Sequence, residues 1–240
     1  MVRTGVPRGW GEDSLSEYMH AAHRNRLAAF ANKRQDYERL SRIDACFVRV
    51  ADGWLNPPDL ISPLLFLRSH SAYRAACEHA LAGQAGDLFT QLRSCLESAG
   101  YGLLIGKTPS LGEVWLDRHK DEISMEASKK AFTVGAIRTC LEQLDRDGAQ
   151  RFQNFYQLTI DFGAHPNERG ITGNLAINEN EGGKQFLQIY MHGEGVALDH
   201  ALITTARVGL CVLETLQNLY TARFELLGVR AEILDLRRGL

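Results

Sequence analysis

What most limits the fold of this chain is the spacing of its apolar residues, which recur at three- and four-residue steps over nearly its whole length. From Asp13 to about Val50 the series Leu15, Tyr18, Ala22, Leu27, Phe30, Tyr37, Leu40 and Phe47 marks one helical face, with room for a kink near Lys33–Asp36. Asn56-Pro57-Pro58 stops any helix, because proline lacks the amide donor and disfavours helix in the residue before it. Ser62-Pro63 restarts one, with serine as N-cap; it runs to about Leu81 and is closed by Gly83. Asp87 is placed to cap the next helix, which carries Leu88, Leu92, Leu96, Ala99 and Leu103. Ser110 with Glu113 has capping-box spacing ahead of a short helix around Trp115. Two more helices, about Met125–Asp145 and Ala149–Gly163, precede a stop at Pro166.

Only two runs alternate at period two. They flank Asn180-Glu-Gly-Gly and predict a β-hairpin near 174–192. A long helix from Val196 to about Leu227 follows, with Leu198, Leu202, Thr205, Gly209, Val212, Leu216 and Leu219 inward and small residues Ala206 and Gly209 for close approach of a neighbour. The fold class expected is mainly α: a multi-helix bundle of long amphipathic helices with one hairpin insertion. It forms a single domain over residues 13–240 after a flexible lead of residues 1–12.

A net charge of −2 argues against a general polyanion binder. The five cysteines are odd in number, widely spaced and form no CxxC pair, so they read as free buried thiols of a reducing, cytoplasmic compartment. Met1–Glu12 has no apolar core of a signal peptide. The apolar stretch Ala201–Tyr220 contains Arg207 and Glu214, and therefore reads as a buried helix, not a membrane span.

Three groups of residues could carry chemistry. Phe89, Arg93, Glu97, Tyr101 and Leu104 lie along one helical face, with Arg93 and Glu97 set between apolar neighbours and in need of partners. Gly100 and Gly102 beside them cost the helix about 1 kcal/mol each and call for a closely packed neighbour or a ligand. Asp161 and His165, four residues apart at a helix C-terminus with Tyr156 nearby, have the spacing of a carboxylate that orients an imidazole for acid–base work. The plain alternatives are a register-fixing ion pair and a capping histidine. Arg74 and His79 form the third group. Glu17 and His20 make a single ExxH with no second copy, so no metal is expected. Gly106-Lys107-Thr108 lacks the glycine loop and strand of a phosphate-binding motif, so no cofactor is expected either.

The run His70-Ser-Ala-Tyr-Arg-Ala-Ala, then Gly83-Gln84, Leu92-Arg93-Ser-Cys-Leu-Glu97, Trp115-Leu-Asp-Arg118 and Tyr156 through His165-Pro-Asn resembles a group of bacterial all-helical proteins distantly like the HEPN-related abortive-infection proteins. The resemblance spans about residues 62–170. It implies a helical fold, dimerisation and, through Arg74 and His79, a metal-independent ribonuclease acting on RNA. From the residues themselves the leading expectation is a semi-polar central pocket lined by Arg93, Glu97, Tyr101, Trp115, Arg118, Tyr156 and His165 that binds a small polar or nucleotide-like ligand. A structural partner protein without a ligand is the third reading. The two-faced apolar helix after Val196 and the hairpin's open edges both suggest a homodimer.

Overall fold

The computed structural model describes residues 5–54, 59–166, 168–180 and 183–240. The Asn56-Pro57-Pro58 stop, the first four residues of the lead and the centre of the hairpin turn lie outside them. Among the described residues the chain forms twelve α-helices and one two-stranded antiparallel sheet, so the mainly helical bundle with a hairpin is what the sequence builds. Helices α1 (Ser14–Asn32) and α2 (Arg34–Ala51) are separate, broken at Lys33 (φ −112°, ψ 46°) where the kink was expected. The centre is α3 (Ile61–Ala82) packed along α4 (Ala85–Lys107) and covered by α10 (Val196–Gln217). Smaller helices α5 (Leu111–Leu116), α6 (Glu122–Ala131), α7 (Val134–Glu142) and α8 (Arg146–Thr159) wrap the far side of α4. Then come α9 (Glu168–Thr172) and strands β1 (Leu175–Asn180) and β2 (Gly183–Gln188), and after α10 the short α11 (Thr221–Leu226) and α12 (Val229–Leu236).

One apolar cluster runs through the bundle, from Ile43 and Phe47 of α2 through Phe66 and Tyr73 of α3 and Leu92 and Leu96 of α4 to Val212 and Leu216 of α10. Glycine lets two of these helices meet. A Cβ on Gly209 would lie 2.5 Å from the Tyr73 ring, and one on Gly100 would lie 2.5 Å from Ile137 Cδ1 of α7. The close approach read from Gly209 is thus made by Tyr73, and Gly100 accommodates a neighbouring side chain. By length and composition α10 could cross a membrane, but 67% of its most apolar window is buried within the bundle.

Several boundaries differ from the sequence reading, each for a local physical reason. The carboxylate that caps α3 is Asp59, which accepts from Ile61 N at 2.9 Å and Ser62 N at 3.1 Å; Ser62 is inside the helix and buried. Gln84, not Asp87, precedes α4, and its side chain is engaged elsewhere: it donates to Tyr18 and meets His79. Ser110 makes no side-chain cap, because Thr108 and Pro109 carbonyls already hold the turn. The helix expected over Met125–Asp145 divides at Phe132, which tucks into the core, and Thr133 Oγ1 caps α7 through Ala136 N at 3.1 Å. The final helix ends at Gln217 instead of near Leu227. The chain turns at Asn218–Tyr220 so that Phe224, Val229, Ile233 and Leu236 fold back onto the core.

The hairpin stands where the period-two runs placed it, pairing Leu175 with Gln188 through Asn180 with Gly183. Most of its side chains face solvent, including the cross-strand pair Ile177 and Phe186.

Candidate functional site

Along the outer face of α4, Arg93 and Glu97 are one helical turn apart, and Tyr156 reaches them from α8. Arg93 Nε donates to Glu97 Oε1 at 2.9 Å, Arg93 Nη2 donates to the Tyr156 hydroxyl at 3.0 Å, and that hydroxyl donates to Glu97 Oε1 at 3.0 Å. The guanidinium also lies over the Tyr156 ring, 5.3 Å from its centroid. Burial, and then the Glu97 charge, push the Tyr156 hydroxyl up to about 12, so it stays protonated and can donate. Burial alone would lower the Arg93 pKa, but Glu97 and Tyr156 outweigh it and raise it. The three groups form a closed triangle that ties α4 to α8.

The other residues expected around this triangle are placed differently. Tyr101 donates to the Phe132 carbonyl at 3.1 Å and meets that ring edge-on. Arg118 is near enough for its charge to act on the Tyr101 hydroxyl, and Trp115 packs against the core. His165 is exposed in extended backbone (φ −133°, ψ 145°). Asp161 instead accepts from Gln157 Nε2 at 2.8 Å and faces Arg169 at 3.8 Å. The reason is a π-turn over Ile160–Ala164, which breaks the four-residue α register; Gly163 there passes so close to Gly86 that a Cβ would lie 2.4 Å from its carbonyl oxygen.

Arg74 and His79 engage different helices. Arg74 holds Asp44 of α2 with both arms of its fork, at 2.7 and 2.9 Å, whereas His79 Nδ1 meets Gln84 Oε1 at 2.9 Å. Asp44 also binds His70 Nε2 at 2.6 Å, and the His70 ring stacks on Phe47. Burial would raise the Asp44 carboxyl, but His70 and Arg74 together hold it well below the usual carboxylate range. The sequence reading paired Arg74 with His79, whereas folding pairs it with His70, one turn earlier on α3, through Asp44 of α2.

Sequence reasoning missed a polar cluster between α8, α10 and the end of α12. Glu214, with its side chain only 12% exposed, meets Arg237 Nη1 at 3.0 Å through Oε1 and Arg151 Nη2 at 3.1 Å through Oε2. Arg151 also reaches Asp145 at 3.4 Å. A cavity of about 140 Å³ opens here, lined by Arg151, Arg207, Arg237, Glu214, Phe155, Leu210, Cys211 and Leu240. A second, also about 140 Å³, shares Arg151, Glu214 and Arg237 and adds Asp145, Gln217, Asn218 and Arg230. Arg207 is exposed and makes no ion pair among the described residues. Burial pushes the Cys211 thiol far up, so this wall is neutral. The sequence did hold a signal: Arg207 and Glu214, seven residues apart, share one face of an otherwise apolar helix. Among the described residues no group of three or more His, Cys, Asp or Glu could hold a metal ion. Set against known families, curated proteins and solved structures, the chain matches none of them.

Proposed function

We propose that this protein is a ligand-binding helical bundle whose ligand is a small anion held in the cleft between α8, α10 and α12. One observation carries the reading: three guanidinium groups, Arg151, Arg207 and Arg237, line a single cavity in which Glu214 is the one acidic side chain. Guanidinium is the side chain best matched to carboxylate and phosphate oxygens, and the apolar wall of Phe155 and Leu210 weakens competition from water. The lining contains no nucleophile paired with a base, which favours binding over catalysis. The reading moves the ligand away from the Arg93–Glu97–Tyr156 triangle, whose bonds are largely satisfied among themselves, and assigns that triangle a structural role.

Thermal unfolding in sodium phosphate against sodium chloride at equal ionic strength tests it. A ligand at a hundred times its Kd stabilises by about 2.7 kcal/mol, several degrees for a chain of this size. Arg207→Ala should abolish the phosphate-specific shift and leave the melting temperature in chloride unchanged, since Arg207 supports no ion pair among the described residues. Equal melting in the two salts, or an unaltered shift in the variant, overturns the reading. We extend the proposal to assembly as a homodimer, supported by the hairpin's exposed Ile177–Phe186 face.

A further inference from the structure

We infer that the anion bound in this cleft is a phosphate monoester carried on a flat apolar body, of the nucleoside monophosphate kind; this rests on the cleft being an anion site. The first argument is a count of charges and oxygens. Glu214 already shows what one carboxylate does here: its two oxygens bridge Arg151 and Arg237, and among the described residues Arg207 is left without an ion-pair partner. Asp145 already takes part of Arg151, at 3.4 Å, so a carboxylate ligand seated on Arg207 would leave the free N–H groups of Arg237 and the outer edge of Arg151 unmet. A phosphate monoester brings three terminal oxygens and a charge of about −1.5 to −2, enough to engage Arg207 and the free edges of both neighbours.

The cleft also has apolar lining. Phe155 of α8 is half-buried and lines the same cavity as Leu210 and the neutral Cys211, an apolar wall interleaved with the charged groups of α8 and α10. A bare inorganic anion has no use for that wall, whereas a planar ring can lie on it. The second cavity adds the Gln217 side-chain amide and the Asn218 side-chain oxygen, whose amide nitrogen donates to the Glu214 carbonyl, and these suit the polar edge of a base or sugar. A free mononucleotide fits better than a nucleic-acid chain, because a net charge of −2 lacks the basic excess of a general polyanion binder.

Isothermal titration of the full chain at fixed ionic strength, with adenosine 5′-monophosphate, adenosine, inorganic phosphate and benzoate as separate probes, tests the assignment. The monophosphate should bind at least tenfold tighter than each of the other three. Arg207→Ala should weaken monophosphate and phosphate alike. Phe155→Ala should weaken only the monophosphate, towards the affinity of phosphate. Phe155→Leu, which keeps the packing volume, guards against loss of fold and should show the same selective effect in part. Phosphate binding as tightly as the monophosphate, or Phe155 variants that spare it, would remove the flat body. Benzoate matching the monophosphate would remove the phosphate. Each of these results overturns this inference while the anion site survives; no heat with any anion ends both proposals.

Discussion

Arg93, Glu97 and Tyr156 are half-buried polar groups satisfied mainly by one another, and that closure makes them mutually dependent. Tyr156→Phe removes both the acceptor of Arg93 and a donor to Glu97, and should cost about 1–3 kcal/mol. Glu97→Gln should cost less, and the double variant should fall short of the sum by about 0.5 kcal/mol or more, as for residues in one network. Urea unfolding of the four proteins measures this, and strict additivity would dissolve the triangle as a clamp. Asp44 makes a pH-dependent case. Its carboxyl is depressed below the ordinary 3.8 by His70 and Arg74 against the pull of burial, so the unfolded chain takes up the proton first as pH falls. The stabilisation is therefore complete above about pH 4 and is lost as pH falls below it towards the folded-state value. Wild type should exceed Asp44→Asn by about 1–3 kcal/mol at neutral pH, and the gap should narrow between about pH 4 and pH 2. A gap that stays constant over that range would mean that the carboxylate charge contributes nothing.

At the scale of elements, caps distinguish what local sequence specifies from what tertiary contacts decide. Asp59→Ala should cost about 1 kcal/mol, because two amides of α3 lose their acceptor, while Ser110→Ala should leave stability unchanged within about 0.5 kcal/mol. The reverse order in a thermal or urea series would restore the capping box to Ser110. The long helices were legible, because a three- to four-residue apolar repeat survives any tertiary arrangement, whereas the short α9 and α12 were not read. The hairpin was legible too, since alternation fixes which side chains share a face. What local pattern could not show was where a helix breaks to improve packing elsewhere. Phe132 leaves its helix for the core, Gly163 reverses the chain against Gly86, and the turn after Gln217 brings Phe224 inward. The candidate site was hidden for the same reason. Arg151, Arg207 and Arg237 come from three helices, and only the Arg207–Glu214 spacing on α10 is a local mark. Arg93 and Glu97 were legible as a pair at i and i+4, yet their third member, Tyr156, arrives from α8 by folding.

For the whole molecule, one of the two sequence arguments for a homodimer is met within a single chain. α10 is apolar on more than one face, but α2, α3, α4, α8 and α12 of its own chain enclose it, with Leu210 and Leu213 both buried. The hairpin argument keeps its force. Ile177 and Phe186 are directly opposite each other and are 54% and 64% exposed, and Leu187 and Tyr190 are also exposed in the same segment. A two-stranded sheet with open edges is marginal by itself and is completed most simply by the same element of a second copy, across a two-fold axis. Size exclusion with light scattering should then give about twice the 26.8 kDa of one chain, and Phe186→Ser should return the mass to a single chain without altering the helical circular dichroism. Because the hairpin adds little to the bundle core, such a variant separates assembly from folding. A wild-type mass of 26.8 kDa independent of concentration would reject the dimer and leave the exposed Ile177–Phe186 pair as a face for some other partner.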